Sequence, residues 1–234
     1  MADVEALKKQ AGIEACKFVQ TGMKVGLGTG STVKHTVIEL GRRIAEEGLE
    51  IVGVPTSIST EILAKEVGIP LVELSEIDGL DIVIDGADEY NPEFQLIKGG
   101  GAALLREKIV AQESSAMVVV ADDRKRVDTL GAFPLPIEVT PFSHAATVRA
   151  LTRLLDCRVN IRMAGDGPVM TDNGNMIADA HTGPKISSPV KTEAEILLIA
   201  GVVQVGLFNN MCDAVVLAGT NGVETIVNPN GRLE

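Results

Sequence analysis

The residues that could do chemistry are concentrated between positions 85 and 108. An acidic cluster, Asp85-Gly86-Ala87-Asp88-Glu89, is followed by a cation and three glycines, Lys98-Gly99-Gly100-Gly101, and then by Arg106-Glu107-Lys108. Carboxylates transfer protons, a cation stabilises developing negative charge, and bare backbone amides bind phosphate. This combination is typical of a site that handles an anionic, polyhydroxylated substrate.

A second candidate is the loop Gly28-Thr29-Gly30-Ser31-Thr32, which follows a predicted strand and opens a predicted helix. A helix N-terminus favours an anion, and the loop hydroxyls add donors. The loop lacks the lysine of a Walker A motif, and Ser31 stands where a GxGxxG dinucleotide motif has its third glycine. Two interpretations remain: a phosphate-binding loop, or a tight turn in which Ser31 or Thr32 caps the helix.

The acidic cluster follows an apolar strand predicted at 82–84. Open parallel sheets bind ligands at the edge where Asp85 would lie, with Asp88 three residues further on. Acid–base work on sugar hydroxyls, ligation of Mg²⁺, and an Asx-type turn with solvated charge are the three interpretations. Acid–base work is favoured, because nearby cations such as Lys98 supply the positive charge that a metal would otherwise provide.

Three further charged residues each allow two interpretations. Glu107 is either a surface ion pair worth ~0–1 kcal/mol or a general base that faces the edge of the sheet. Lys125, after a strand predicted at 117–120, is either a phosphate contact or part of a solvated charge run. Lys8, on the first predicted helix, either reaches a phosphate or does nothing specific.

Strands and helices alternate through the first 120 residues. Strands are predicted at 23–27, 51–54, 82–84 and 117–120, and helices at 4–19, 32–46, 58–67 and 102–112. Such alternation predicts an α/β fold with a parallel sheet covered on both faces. The carboxyl ends of its strands must therefore position the candidate residues.

The pattern changes after about residue 130. Strands are predicted at 137–139, 175–179 and 202–207, a strand region at 158–163 with 168–171, and helices at 144–155 and 191–200. This order is β-α-β-β-α-β, the split βαβ arrangement. An apolar run at 214–218 is expected to return to the first sheet. We therefore expect a larger domain of residues 1–130 plus 210–234 and a smaller domain of residues 131–209.

Composition excludes several classes of function. The net charge of −11 disfavours nucleic-acid binding, because there is no excess of cations to neutralise phosphates. No apolar run approaches the ~20 residues that span a membrane. The three cysteines and three histidines show no metal-ligand spacing. We expect a cytoplasmic protein with neither a metal site nor a membrane partner.

Taken together, the motifs resemble those of type A ribose-5-phosphate isomerases, in order along essentially the whole chain. The matching segments are Gly28-Thr29-Gly30-Ser31-Thr32, Asp85-Gly86-Ala87-Asp88-Glu89, Lys98-Gly99-Gly100-Gly101-Ala102-Ala103-Leu104, Arg106-Glu107-Lys108, Pro134-Leu135-Pro136-Ile137-Glu138-Val139, Thr171-Asp172-Asn173-Gly174-Asn175 and Gly206-Leu207-Phe208. Any one motif is weak, but the ordered set is highly specific.

The resemblance implies a Rossmann-like parallel sheet domain with a smaller ferredoxin-like α+β domain. It implies an aldose–ketose isomerase that interconverts D-ribose 5-phosphate and D-ribulose 5-phosphate through an enediolate in the non-oxidative pentose phosphate pathway, without metal or cofactor. It also implies a homodimer or homotetramer. The implied proton acceptor is Glu107, and the implied substrate contacts are Thr29, Gly30, Ser31, Thr32, Asp85, Gly86, Ala87, Asp88, Lys98, Gly99, Gly100, Gly101 and Lys125.

The mechanism expected from these residues divides the work among four side chains. Asp85, with Asp88, shuttles protons for ring opening, Glu107 moves the C2 proton to C1, and Lys98 stabilises the enediolate. An amino-sugar phosphate deaminase-isomerase is an alternative, but it would want a histidine, and none lies near residues 85–108. A non-catalytic sugar-phosphate sensor is another alternative, and such a protein would tolerate the loss of Glu107.

Overall fold

The computed structural model describes residues 4–220 and 222–233. Its α-helices are α1 (Val4–Ala15), α2 (Val33–Glu47), α3 (Ile58–Glu66), α4 (Leu104–Gln112), α5 (His144–Leu155) and α6 (Pro189–Leu197). Its strands are β1 (Lys24–Leu27), β2 (Val52–Pro55), β3 (Ile82–Gly86), β4 (Glu89–Tyr90), β5 (Leu96–Ile97), β6 (Met117–Asp122), β7 (Leu135–Val139), β8 (Val159–Ile161), β9 (Met163–Ala164), β10 (Gly167–Pro168), β11 (Met176–Ala180), β12 (Val202–Val205), β13 (Leu207–Phe208), β14 (Ala214–Gly219) and β15 (Gly222–Val227).

The chain divides into two compact units. Unit 1 comprises Met1–Ala87, Arg106–Lys125 and Asn210–Glu234, and unit 2 comprises Asp88–Leu105 and Arg126–Asn209. The sequence pattern groups 88–105 and 126–130 with the first domain, whereas the structure groups them with unit 2. The physical reason is strand pairing: β5 pairs with β4 and β13, far along the chain.

Unit 1 is built on a sheet with the strand order β15-β14-β6-β3-β1-β2. The strands from β14 to β2 pair in parallel, and β15 pairs antiparallel with β14. All six residues of β6 are buried, as expected for a central strand covered on both faces. The run predicted to return to the first sheet does so as β14. The carboxyl ends of β1, β2, β3 and β6 therefore lie along one edge of the sheet.

Helix α2 packs its apolar face into the core of unit 1. Its buried residues Val33, Val37 and Leu40 recur at helical spacing and join the core of unit 1. The helix ends at Gly48, whose φ of 69° is a left-handed conformation that glycine adopts without steric cost. Its first residue follows directly on the glycine-rich loop.

Unit 2 contains a sheet with the strand order β12-β7-β11-β8, in which every pair is antiparallel. Together with α5 and α6 this gives the β-α-β-β-α-β order that the sequence predicts. The structure thus confirms the fold class, an α/β chain with a mostly parallel sheet and a smaller α+β unit. Leu135, Ile137 and Val139 on β7 are fully buried in the core of unit 2.

Two short segments differ from the sequence expectation. The strand predicted at 202–207 is two strands, β12 and β13, separated by Gly206. A Cβ on Gly206 would lie only 2.1 Å from the Lys98 carbonyl oxygen. Glycine, which has no Cβ, therefore lets the backbone at Gly206 approach the backbone at Lys98 this closely. The paired strands β4 and β5 lie in a stretch where the sequence predicts no strand, and Tyr90 on β4 is buried.

Candidate active site

The loop after β1 is anchored by hydroxyl groups. Thr29 Oγ1 lies 2.7 Å from Thr56 Oγ1 and donates to Ser57 Oγ at 2.8 Å, and Thr60 Oγ1 donates to the Gly28 carbonyl at 2.8 Å. These partners follow β2 or lie on α3, so they share the same sheet edge. These hydrogen bonds hold the Thr29 side chain in place within the loop.

The rest of this loop is open to solvent. Gly30 and Ser31 are exposed, and Thr32 is half-buried. Thr32 occupies the position that caps α2, but its side chain makes no capping hydrogen bond. In the first turn of α2 the N–H groups of Lys34 and His35 donate to the carbonyl oxygens of Gly30 and Thr32, at 3.0 and 3.1 Å, so the attraction for an anion comes from the helix dipole. The loop thus retains the properties expected of an anion-binding site.

Asp85 is fully buried at the carboxyl end of β3. Its Oδ1 accepts hydrogen bonds from the N–H groups of Thr29 at 3.0 Å and Gly86 at 2.7 Å. A Cβ on Gly28 would lie 2.2 Å from the same oxygen, so only glycine fits beside it. The contact confirms the expectation that the glycine loop and the acidic cluster meet at one sheet edge.

Glu107 is also buried, with 4% of its surface exposed. This excludes the solvated surface ion pair, the first of its two interpretations. The helix predicted from residue 102 begins at Leu104, because Ala102 takes a left-handed φ of 58°. Glu107 therefore lies in the first turn of α4 rather than the second. The helix dipole stabilises an anion in the first turn.

Lys125 ends a 3₁₀ turn, Asp123–Lys125, directly after β6. It is half-buried at the carboxyl edge of the unit 1 sheet. The neighbouring Asp122 pairs with Arg124 at 2.7 Å. Burial opposes ionisation of Asp122, but the hydrogen bonds and charge of Arg124, together with the charge of Lys125, hold the pKa of this carboxyl below its ordinary value.

Lys8 lies on α1, where its Nζ is 3.6 Å from Glu5 Oε2. A pair at this distance on a helix surface is a weak interaction. The structure shows no feature around Lys8 that marks it as a phosphate contact, and its assignment stays a prediction.

Asp88 and the glycine run make direct contact within unit 2. Asp88 Oδ2 accepts a hydrogen bond from the Gly100 N–H at 2.7 Å. A Cβ on Gly100 would lie 2.5 Å from Asp88 Oδ1, so the close approach requires glycine. Asp88 therefore orients at least one peptide group of the loop.

Lys98 is almost entirely buried, with 2% of its surface exposed. Its Nζ lies 5.3 Å from the centroid of the Phe208 ring, within the range of a cation–π contact. The backbone N–H of Lys98 donates to the Gly206 carbonyl oxygen at 2.8 Å. The sequence includes Gly206 and Phe208 in a family motif, but nothing in it connects them with Lys98.

Arg162 is a residue that sequence reasoning misses. Its guanidinium donates to the carbonyl oxygens of Gly99 and Gly100, both at 2.9 Å, and to both carboxylate oxygens of Asp179. No motif surrounds Arg162, and it lies more than sixty positions from the glycine run, so no sequence signal points to this contact.

The candidate residues thus divide between the units. Unit 1 holds Lys8, Thr29, Gly30, Ser31, Thr32, Asp85, Gly86, Ala87, Glu107 and Lys125, and unit 2 holds Asp88, Lys98, Gly99, Gly100 and Gly101. Contacts within the units join Thr29 to Asp85 and Gly100 to Asp88. Their catalytic and binding roles stay predictions.

Across residues 4–220 and 222–233, no group of three or more His, Cys, Asp or Glu side chains is arranged to hold a metal ion. Over the same residues, none of the helices has both the length and the apolar character needed to cross a membrane.

Comparison with known proteins matches most of the chain to one family. The family model for ribose 5-phosphate isomerase A (phosphoriboisomerase A) matches residues 52–222. The chain is 50% identical to ribose-5-phosphate isomerase A of Bacillus mycoides over 218 residues, which cover 93% of this chain and 98% of the relative.

Solved structures agree. A ribose 5-phosphate isomerase A from Methanocaldococcus jannaschii is 43% identical, with a TM-score of 0.91 over 96% of this chain and all of the other. A D-ribose-5-phosphate isomerase solved in complex with phospho-erythronic acid is 41% identical, with a TM-score of 0.93 over 96% of this chain and 99% of the other.

Proposed function

Because this chain belongs to the ribose 5-phosphate isomerase A family and is an isomerase of D-ribose 5-phosphate and D-ribulose 5-phosphate, we propose how its own residues catalyse that reaction. Glu107 is the base that moves a proton between C2 and C1. The observation that carries this proposal is the burial of Glu107. The reaction needs a base, and this carboxylate is only 4% exposed, so it is shielded from water.

The proposed cycle is balanced without an external oxidant. Glu107 removes the C2 proton, the electron pair forms a C1–C2 double bond, and the C1 carbonyl oxygen becomes the enediolate oxygen. The proton of the C2 hydroxyl then passes to the negatively charged C1 oxygen, which becomes the C1 hydroxyl, and the C2 oxygen becomes the ketone. The electron pair of the C1–C2 double bond takes the proton that Glu107 holds, which forms the new C1–H bond. Asp85 and Asp88 exchange protons with the sugar hydroxyls, which opens the ring beforehand.

Lys98 and the backbone N–H groups of the glycine run stabilise the charge on the enediolate oxygen. Lys98 is buried, and a cation removed from water acts through a lower dielectric than a surface lysine does. Such prearranged donors usually supply the largest part of the stabilisation of a transition state. The loop after β1 and Lys125 hold the phosphate, which keeps C2 close to the base.

We also propose that this chain binds phospho-erythronic acid, the ligand of the related structure described above. Its carboxylate spreads negative charge over two oxygens in one plane, as an enediolate does. A molecule that resembles the intermediate should bind more tightly than the substrate.

Glu107→Gln tests the base directly, because glutamine keeps the shape and removes the basic oxygen. We expect kcat to fall by ~10²–10⁴, the usual contribution of a general base. Glu113→Gln is the matched control, because Glu113 is an exposed carboxylate just beyond the end of α4. Near-normal turnover by Glu107→Gln would show that another group moves the proton.

Proton NMR in D₂O, with EDTA present, gives a second test. Isomerisation through an enediolate washes solvent deuterium into C1 of the product. Deuterium at C1 would establish proton transfer and rule out direct hydride transfer, and loss of turnover with EDTA would indicate a metal.

We propose further that the chain works as a homodimer or homotetramer in the cytoplasm and binds no nucleic acid. Two apolar side chains of unit 2, Phe142 and Leu198, are 87% and 85% exposed, and a subunit interface there would remove apolar surface from water. The net charge of −11 disfavours nucleic acid. Light scattering after gel filtration measures the mass, and a purely monomeric mass would refute the oligomer.

A further inference from the structure

We infer that Arg162 is a positioning residue for the glycine run: its guanidinium holds two peptide groups so that the N–H of Gly101 serves as a donor to the negative oxygen of the enediolate, while the Gly100 N–H stays bonded to Asp88. The inference rests on the function proposed above and adds a residue to it. Every contact that carries it lies within unit 2.

The first observation is the geometry of the guanidinium. Arg162 Nη1 donates to the carbonyl oxygens of Gly99 and Gly100, at 2.9 Å in both cases. Nε and Nη2 donate to the two carboxylate oxygens of Asp179, at 2.9 and 2.6 Å. Bidentate pairing with Asp179 fixes the plane of the guanidinium, and that plane fixes the direction of Nη1.

The second observation follows from the planar trans peptide, in which C=O and N–H point in opposite directions. Since the Gly99 carbonyl points to Arg162, the Gly100 N–H points away from it, and it donates to Asp88 at 2.7 Å. Since the Gly100 carbonyl also points to Arg162, the Gly101 N–H points away from Arg162 as well. The Gly100 N–H is thus taken by the Asp88 carboxylate, and the Gly101 N–H is the donor that the proposal assigns to the enediolate oxygen.

The third observation is that Arg162 adds order to a glycine run whose own turn is closed by one backbone hydrogen bond, from the Ala102 N–H to the Gly99 carbonyl at 3.0 Å. Glycine loses more backbone entropy on ordering than any other residue, and Gly99 takes a φ of 109°. Gly99 is buried, whereas Gly100 and Gly101 are exposed and accessible to a ligand. The side chains of Arg162 and Asp179 are only 17% and 14% exposed, so solvent screens their pairing weakly.

If Arg162 had only a structural role, it would make the same contacts, but its loss would have a different effect. Losing it would lower the stability of unit 2 without singling out the charged intermediate. Losing a positioning residue would weaken binding of an intermediate analogue by the same factor as it lowers kcat, and would leave the KM for ribose 5-phosphate nearly unchanged.

The experiment uses Arg162→Lys in the full chain. Lysine keeps the positive charge but is a point donor that cannot bond two carbonyls and two carboxylate oxygens in one plane. We expect kcat to fall by ~10–10³-fold, the range for a misplaced or lost oxyanion donor. The inhibition constant of phospho-erythronic acid should rise in step with that loss. Arg158→Lys is the control, because Arg158 is an exposed arginine of the same unit that bonds His181.

Asp179→Asn provides a second variant in case Arg162→Lys does not fold. It is isosteric and removes the charge that orients the guanidinium, so a smaller change in the same direction is expected. Unchanged kcat in the folded variants would overturn the inference. So would a lower kcat accompanied by an unchanged inhibition constant.

The two proposals can fail separately. Glu107→Gln reports on the base, whereas binding of phospho-erythronic acid to Arg162→Lys, measured by calorimetry, needs no turnover. Normal turnover by Glu107→Gln together with weakened analogue binding by Arg162→Lys would refute the base and leave the positioning residue standing.

Discussion

Gly28→Ala tests how strictly the reaction depends on the position of Asp85. The added Cβ would lie 2.2 Å from Asp85 Oδ1, against 3.4 Å for ordinary contact, so the two must separate by about 1.2 Å. Rotating the carboxylate does not relieve the overlap, because the Cβ would also lie 2.6 Å from the Asp85 Cα. The ends of β1 and β3 must therefore move apart.

The cost can be worked from the contacts at this point. Separation would break the hydrogen bond from the Gly28 N–H to the Ile84 carbonyl, now 3.0 Å long. A lost hydrogen bond costs ~1 kcal/mol and overpacking ~1–3 kcal/mol, so unfolding should become easier by about 2–4 kcal/mol. A reacting group displaced by about 1 Å lowers the rate ~10²-fold.

The assay pairs urea unfolding, followed by circular dichroism, with kcat measured where the variant is fully folded. Gly41→Ala is the control, because its Cβ would lie 2.6 Å from the Val67 Cβ, a comparable clash between α2 and the end of α3. We expect the control to lose ~1–3 kcal/mol of stability and to keep kcat within a factor of about 2. Normal kcat in a destabilised Gly28→Ala would refute the dependence on Asp85, and unchanged stability would refute the rigid contact.

Two further predictions concern stability. Arg124 lowers the pKa of Asp122 despite its burial, so ionised Asp122 stabilises the folded chain above the ordinary aspartate pKa of about 3.9, and this contribution is lost as the pH falls through the lowered value. The Tm difference between wild type and Asp122→Asn should therefore be large at pH 7 and shrink below pH ~4; a difference independent of pH would contradict the assignment. Glu138 is fully buried and its Oε1 accepts from Thr171, Asn173 and Asn175, so Glu138→Ala should cost ~2–4 kcal/mol in urea unfolding. Glu224→Ala is the control, because Glu224 is exposed. If Glu138→Ala lowers the free energy of unfolding by less than ~1 kcal/mol, the hydrogen bonds of Glu138 are dispensable.

Long periodic elements could be predicted from the sequence. Helix α5 has the predicted bounds, and β14 joins the first sheet as expected, because apolar periodicity is a local property of the chain. The two-residue strands β4, β5 and β13 could not be predicted. They are too short to show periodicity, and β5 pairs with residues more than a hundred positions away.

Some features of the candidate site could likewise be predicted from the sequence, and others could not. Asp85 and the glycine loop were expected to meet, because parallel strands share one carboxyl edge, and they do. The burial of Glu107 could not be predicted, since two flanking cations are equally typical of a solvated surface. The contacts of Arg162 depend on tertiary packing between distant segments, and no local pattern encodes them.

The single tyrosine has a practical consequence. The chain contains one tyrosine and no tryptophan, and Tyr90 is buried on β4 in unit 2. Its ultraviolet fluorescence therefore reports the integrity of that unit alone, whereas the helical dichroism reports both. If the two signals change at different urea concentrations, the halves of the molecule melt in separate steps.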